Sequence, residues 1–268
     1  MKSIRTPRER KREETFAGLF DEFRAGAYEQ VEAAARALAA IPPHPWRRER
    51  PLPRWQALTL ATGAAVAHGR GTEVLPELEA LIAELEPVDV ETELLRLVVR
   101  NHRTLVLIGE ERHREAEAEA LDVLRGTNRL ARLTSPGAVE PIALSHLAAA
   151  LCGQGRHEEA EAVVRGNLPR AEAAVLSALH ATLVRCLTGQ GRYAEALTEA
   201  RRFTPPPSRR DSGRLDLVTA EALHGLGRQG EAREAARRAL ADCERNLHPA
   251  HPRIREARAL LARITGEE

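Results

Sequence analysis

Apolar residues recur at spacings of three and four along most of this chain, the interval that places them on one face of a helix. Around Gly155 the pattern is plain: Leu144, Leu147 and Leu151 precede the glycine, and Ala160, Val163, Val164 and Leu168 follow it. Two amphipathic segments on either side of a glycine predict a helical hairpin. From Pro252 a final pattern sets Ile254, Ala257, Leu261 and Ile264 on one face and Arg255, Glu256, Arg258 and Arg263 mostly elsewhere. It predicts one more helix, covering a stacking face that the last hairpin would otherwise expose.

The hairpin signal is periodic. GQGRHEEA from Gly153 returns as GQGRYAEA from Gly189 and as GLGRQGEA from Gly225, each 36 residues after the one before. With Gly155, Gly191 and Gly227 as anchors, weaker copies of Gly-Arg-x-x-Glu-Ala stand at Glu111, Gly69 and Gly26, and the anchor spacings are 43, 42, 44, 36 and 36. The expectation is an all-α domain over 12–268, with six hairpins at about 12–41, 54–86, 91–132, 138–170, 172–204 and 213–246 and a cap at 252–265, after a basic segment at 1–11. An anchor glycine lets a helix end in the left-handed region, where a residue with a Cβ is disfavoured by about 1 kcal/mol. Glu111 should therefore mark a less regular corner. Ala116, Ala160, Ala196 and Ala232, five residues after their anchors, are expected at close helix crossings. The proline-rich stretches 42–54 and 204–213 read as exposed connectors.

These residues give the chain a resemblance to the tetratricopeptide repeat family over roughly 12–245. The longer early spacing and HPAHPRIREA at 248–257 are similar to the kinesin-light-chain-like branch found in actinobacterial proteins. The resemblance implies a right-handed α-solenoid whose first helices line a concave surface. The family's groove positions fall here on Asn101, Ser145, Arg185, Thr188, Glu221 and His224, with Leu105, Ile108 and Leu217 as apolar neighbours. Such a mixture suits an extended peptide or a partner helix. The lysine-containing clamp that some members use to hold a carboxylate terminus is absent in its usual form, because no lysine follows Lys11.

Composition narrows the function. Forty basic and thirty-nine acidic side chains leave a formal charge of +1, so no overall field draws the protein to nucleic acid or an anionic membrane. Cys152, Cys186 and Cys243 are odd in number and widely spaced, which fits a reducing cytoplasm better than a disulfide framework. The first residues are charged where a signal peptide would be apolar, and the run Trp55–His68 is too short to span a bilayer.

Most enzymatic motifs fail on context. Gly225–Gly230 spells Gly-x-Gly-x-x-Gly but follows a helical pattern rather than a strand, and no phosphate loop or Gly-x-Ser-x-Gly elbow occurs. His157-Glu158 lacks the second histidine of a zinc-protease helix, and His248 and His251 lack a third ligand nearby. Cys152 and Cys186, near the ends of successive first helices, read as small core residues that could approach one another. The basic N-terminus and the arginine-rich loop with Trp46 and Trp55 are the features suited to nucleic acid, and the cluster is short while the rest of the chain is neutral. The expected function is a non-catalytic scaffold or adaptor that binds a protein or peptide without cofactor or metal. The alternative is a regulator that responds to a peptide or small ligand.

Overall fold

The computed structural model describes residues 7–42, 51–135, 137–205 and 208–266. The described residues form thirteen α-helices and no strand: α1 (Pro7–Arg24), α2 (Tyr28–Ala39), α3 (Leu52–His68), α4 (Gly71–Glu84), α5 (Val90–Gly109), α6 (His113–Leu130), α7 (Val139–Gly153), α8 (His157–Asn167), α9 (Ala173–Gly189), α10 (Tyr193–Arg202), α11 (Arg214–Gly225), α12 (Gln229–Asn246) and α13 (Pro252–Thr265). Each helix packs on the next in sequence from α1 to α10 and from α10 through α13. The odd-numbered helices α3, α5, α7, α9 and α11 also pack on one another in series, so they form an inner layer behind which the even-numbered helices lie.

The six anchor residues sit in the six tight turns that join α1 to α2, α3 to α4, and so on to α12, and all have positive φ, from 59° at Glu111 to 104° at Gly69. In every turn the next amide reaches back five residues, as in Arg70 to the Ala65 carbonyl (2.9 Å), Arg156 to Leu151 (3.0 Å) and Arg228 to Leu223 (3.0 Å). This bond satisfies a carbonyl that the helix end leaves open. Glu111 departs from expectation here. Its corner keeps the same bond, Arg112 to Leu107 at 2.9 Å, and the strain is confined to a left-handed residue with a Cβ. Glu111→Gly should therefore raise stability by about 0.5–1 kcal/mol, measured by urea unfolding, and a loss of stability would contradict this account.

The other letters of the repeated motif also have physical roles. The arginine after the anchor folds onto the glutamate three residues on, in Arg70–Glu73 (2.8 Å), Arg112–Glu115 (2.7 Å), Arg156–Glu159 (2.7 Å) and Arg192–Glu195 (2.7 Å). Three of these arginines reach back to the preceding pair as well, Arg70 to Glu32, Arg156 to Glu117 and Arg192 to Glu161, at 2.6–2.7 Å. Exposed pairs of this kind contribute little to stability, so their effect lies more in fixing how one helix pair sits on the next. The alanines five residues after the anchor, Ala116, Ala160, Ala196 and Ala232, are fully buried.

The first glycine of each Gly-x-Gly has a separate use. A Cβ on Gly153 would stand 2.5 Å from the His113 ring, one on Gly189 2.3 Å from His157, and one on Gly225 2.2 Å from Tyr193. The first residue of α6, of α8 and of α10 thus lays its ring on the bare end of the next inner helix. Gly109 holds the same register, and its space is filled by Pro252 of α13, 2.9 Å from where a Cβ would be.

Two expectations about connectors need correction. Residues 43–50, with Trp46, lie outside the described residues, but α3 already begins at Leu52. Trp55 is half-buried against the α3–α5 core and donates Nε1 to Glu84 (3.2 Å), so it is a packing residue rather than a stacking platform. In the connector 204–213, Ser212 and Gly213 are buried, and a Cβ on Gly213 would collide with the Ala239 carbonyl at 2.4 Å. In α13, Leu260 rather than Leu261 is the fully buried leucine.

Candidate functional site

The inner layer curves until the chain meets itself. Arg209, just before α11, donates Nη1 and Nη2 to the Glu29 carboxylate (both 2.8 Å) and Nη1 to the Gly26 carbonyl (3.0 Å), and lies 5.6 Å from the Tyr28 ring centre. The linker after α12 makes a second seam: the His248 amide donates to the His68 carbonyl (3.3 Å), and the two rings meet edge to face at 5.0 Å. A third is made by α13, where Arg255 donates to the Gly109 carbonyl (2.8 Å) beside the Pro252 contact. Residues more than 140 positions apart are thereby joined, and the concave side of the array is covered by the chain's own C-terminal helix.

What remains is a partly open cavity of about 740 Å³, walled by α3, α5, α7, α9 and α11 and bordered by α13 and residues 210–214. Of the groove positions expected from sequence, Ser145, Arg185, Thr188 and Glu221 line it, with Leu105, Ile108 and Leu217. Asn101 does not: its Nδ2 donates to the Val139 carbonyl (3.0 Å), tying α5 to the start of α7. His224 does not line it either, and its Nδ1 pairs with Gln229 Oε1 at 2.9 Å in the following turn. The His248–His251 pair is engaged locally, His248 Nδ1 accepting from the Ala250 amide (3.2 Å) and His251 Nδ1 from the Arg253 amide (3.1 Å).

The cavity's charge is supplied largely by residues that the repeat frame passes over. Arg185 is held by Glu256 of α13 and by Glu221 (3.5 Å). Burial works against its charge, but the two carboxylates outweigh burial and raise its pKa. The carboxyl of Glu221 is pushed up by that same burial, against the pull of Arg185. Arg214 has Asp211 (3.1 Å), yet burial, and next the neighbouring Arg253, bring its pKa down to about 9. Arg253 is only 8% exposed and donates Nη1 to the carbonyls of Arg210 (3.1 Å) and Ser212 (2.8 Å). His146, also 8% exposed, is kept neutral by burial and by Arg210, its pKa down to about 3. Sequence reading missed Arg210 and Arg214 because they follow a proline run that looks like a loop, and Arg253 because it starts a helix whose repeat partner is missing. The one available signal was that three arginines cluster where the period breaks.

At another point on the wall, Cys152 lies 3.7 Å from His157 Nδ1 and close to Cys186. A hydrogen bond from Cys186 holds its thiol well below the ordinary range, burial opposing and His157 assisting; Cys186 is raised in turn, and Cys243 is pushed up to about 11 by burial. The thiolate is the reactive form. At pH 7, iodoacetamide should therefore modify Cys152 first, and the buried Cys186 and Cys243 only later, followed by peptide mass spectrometry, and Cys152→Ser should abolish the fast phase. Equal labelling of all three only after denaturation would refute the assignment.

No described helix is long and apolar enough to cross a membrane. No family model, curated protein or solved structure matches the chain.

Proposed function

We propose that the chain is a right-handed α-solenoid of six tetratricopeptide-like hairpins and a cap, closed on itself, that binds a small molecule or short peptide inside and acts as a ligand-responsive regulator in the cytoplasm. One observation carries this reading: the concave side, where a partner protein would dock, is occupied by α13, and the space left is about 740 Å³. That volume lies within the range of small-ligand sites. A partner helix would have to lie along the face that α13 now covers. The scaffold reading is accordingly placed second. The proposed action is recognition.

A ligand that binds only the folded chain at a hundred times its Kd stabilises it by about 2.7 kcal/mol, a rise of roughly 5–10 °C in Tm for a chain of this size. A thermal-shift screen of metabolites and short peptides should yield such a shift, and Leu217→Trp, which fills the cavity, should remove it. If no compound shifts the wild type while deletion of α13 creates a binder of intact proteins, the scaffold reading takes its place.

A further inference from the structure

Among the arginines that line the cavity, Arg210, Arg253, Arg255 and Arg263 have no carboxylate partner among the described residues. Arg210 faces the space, yet its guanidinium makes no hydrogen bond or ion pair among the described residues. Its neighbours are already committed. Asp211 is engaged by Arg214, and Glu221 and Glu256 by Arg185, so these three carboxylates are taken, while Arg185, Arg210, Arg214, Arg253, Arg255 and Arg263 all line the space. Arg214 uses only Nε on Asp211, and Arg253 only Nη1 on backbone carbonyls, which leaves donors on both without partners among the described residues. Crowding of like charge in a place with little water opposes folding, and a bound anion would relieve it.

A second observation is independent of the arginines. His146 lines the same space, and its buried Nδ1 has no hydrogen-bond partner among the described residues. Thr188 Oγ1, also on the wall, is likewise buried and unpartnered. Buried polar atoms in folded proteins are nearly always paired, so two such atoms facing one cavity indicate that something polar belongs there. Elsewhere the wall is apolar, with Leu105, Ile142, Val175 and Leu217.

Resting on the reading of the cavity as a ligand site, we infer that its ligand is an amphipathic anion, whose phosphate or carboxylate head is taken by Arg210, Arg214 and Arg253 and whose apolar body lies along Leu105, Ile142, Val175 and Leu217. Guanidinium groups suit either head, since both accept two parallel hydrogen bonds from the planar fork. His146 completes the head site as a neutral imidazole, able to donate from one nitrogen and accept at the other.

The test uses three probes of equal chain length, octyl phosphate, octanoate and octanol, titrated calorimetrically and by thermal shift into the full chain and into Arg210→Gln. Binding of the phosphate or the carboxylate at least about tenfold tighter than octanol, weakened about tenfold by Arg210→Gln and by added salt, would support the inference, and the tighter of the two identifies the head. Because Arg210 has no partner among the described residues, Arg210→Gln should also raise the Tm of the ligand-free protein. Octanol binding as tightly as the anions, or anions binding the variant as tightly as the wild type, would overturn the anion site while leaving the cavity a ligand site. Failure of all three probes, with no gain of Tm in Arg210→Gln, would overturn it outright. The metabolite and peptide screen would then decide the broader reading separately.

Discussion

Arg209→Ala should cost about 2–3 kcal/mol, more than an ordinary surface arginine, because one side chain ties the first helix pair to the last. The change removes two charge-assisted bonds to Glu29, bonds to the Gly26 and Asn246 carbonyls and the contact with the Tyr28 ring. Hydrogen bonds that involve a charged group each carry about 1.5–3 kcal/mol, with partial exposure reducing the sum. Hydrogen exchange should localise the effect: amides of α1 and α2 lose protection before those of α7 to α9. A fall in stability below about 0.5 kcal/mol would mean that the seam is held elsewhere.

The same contact makes the seam sensitive to acid. Arg209, through its hydrogen bonds, holds the Glu29 carboxyl down to about 2, well below its usual range. A carboxylate with a depressed pKa adds stability that is present in full above its unfolded pKa of about 4.3 and is lost as pH falls towards the folded value. The seam should therefore loosen between about pH 4 and pH 2, and in Glu29→Gln that acid-dependent step should be missing. Urea unfolding of the wild type and of Glu29→Gln across that pH range checks this.

The second large effect has the opposite sign to the usual rule. Gly225 is the last residue of α11, and Gly→Ala in a helix ordinarily stabilises by about 0.5–1 kcal/mol. Here the added methyl would stand 2.2 Å from the Tyr193 ring. Either the ring leaves its seat or α10 and α11 separate, and overpacking of this kind costs about 1–3 kcal/mol. Gly225→Ala should thus be destabilising by about 2 kcal/mol. Gly230→Ala, with nothing within 4 Å of the new atom, should be neutral or stabilising. Tyr193→Ala in the Gly225→Ala background should recover most of the loss, giving a coupling energy that a double-mutant cycle can measure. If the two glycine variants behaved alike, ring seating would not set the spacing between pairs.

The local geometry of this protein was legible because it is written in short intervals. Spacings of three and four marked the helices, an anchor with a left-handed φ marked each reversal, and an alanine marked each close crossing. Glu111 shows the limit of that reading: a glutamate could take the corner because the hydrogen bond that closes it belongs to the backbone. Closure was not legible. Arg209 and Glu29 are 180 residues apart, and whether they meet depends on small rotations accumulated across every intervening pair, which no motif encodes. The site inherited the same blindness. Ser145 and Arg185 line the cavity because the repeat frame governs the wall, whereas Arg210, Arg214 and Arg253 belong to segments that have no counterpart in the frame. Asn101 shared a frame position with Ser145 but met the carbonyl of Val139, which the frame does not specify.

An open array of helix pairs tolerates changes in length, since each pair touches only its neighbours and gaining or losing one leaves the others as they were. A chain buckled at Arg209 and seated on Gly109 has no such freedom. Excising the 36 residues between Gly155 and Gly191 would leave every surviving turn intact, yet it would swing the two ends out of reach of one another and empty the seat that Pro252 fills. The number of pairs is therefore itself a structural parameter, fixed by the circumference at which the ends can fasten.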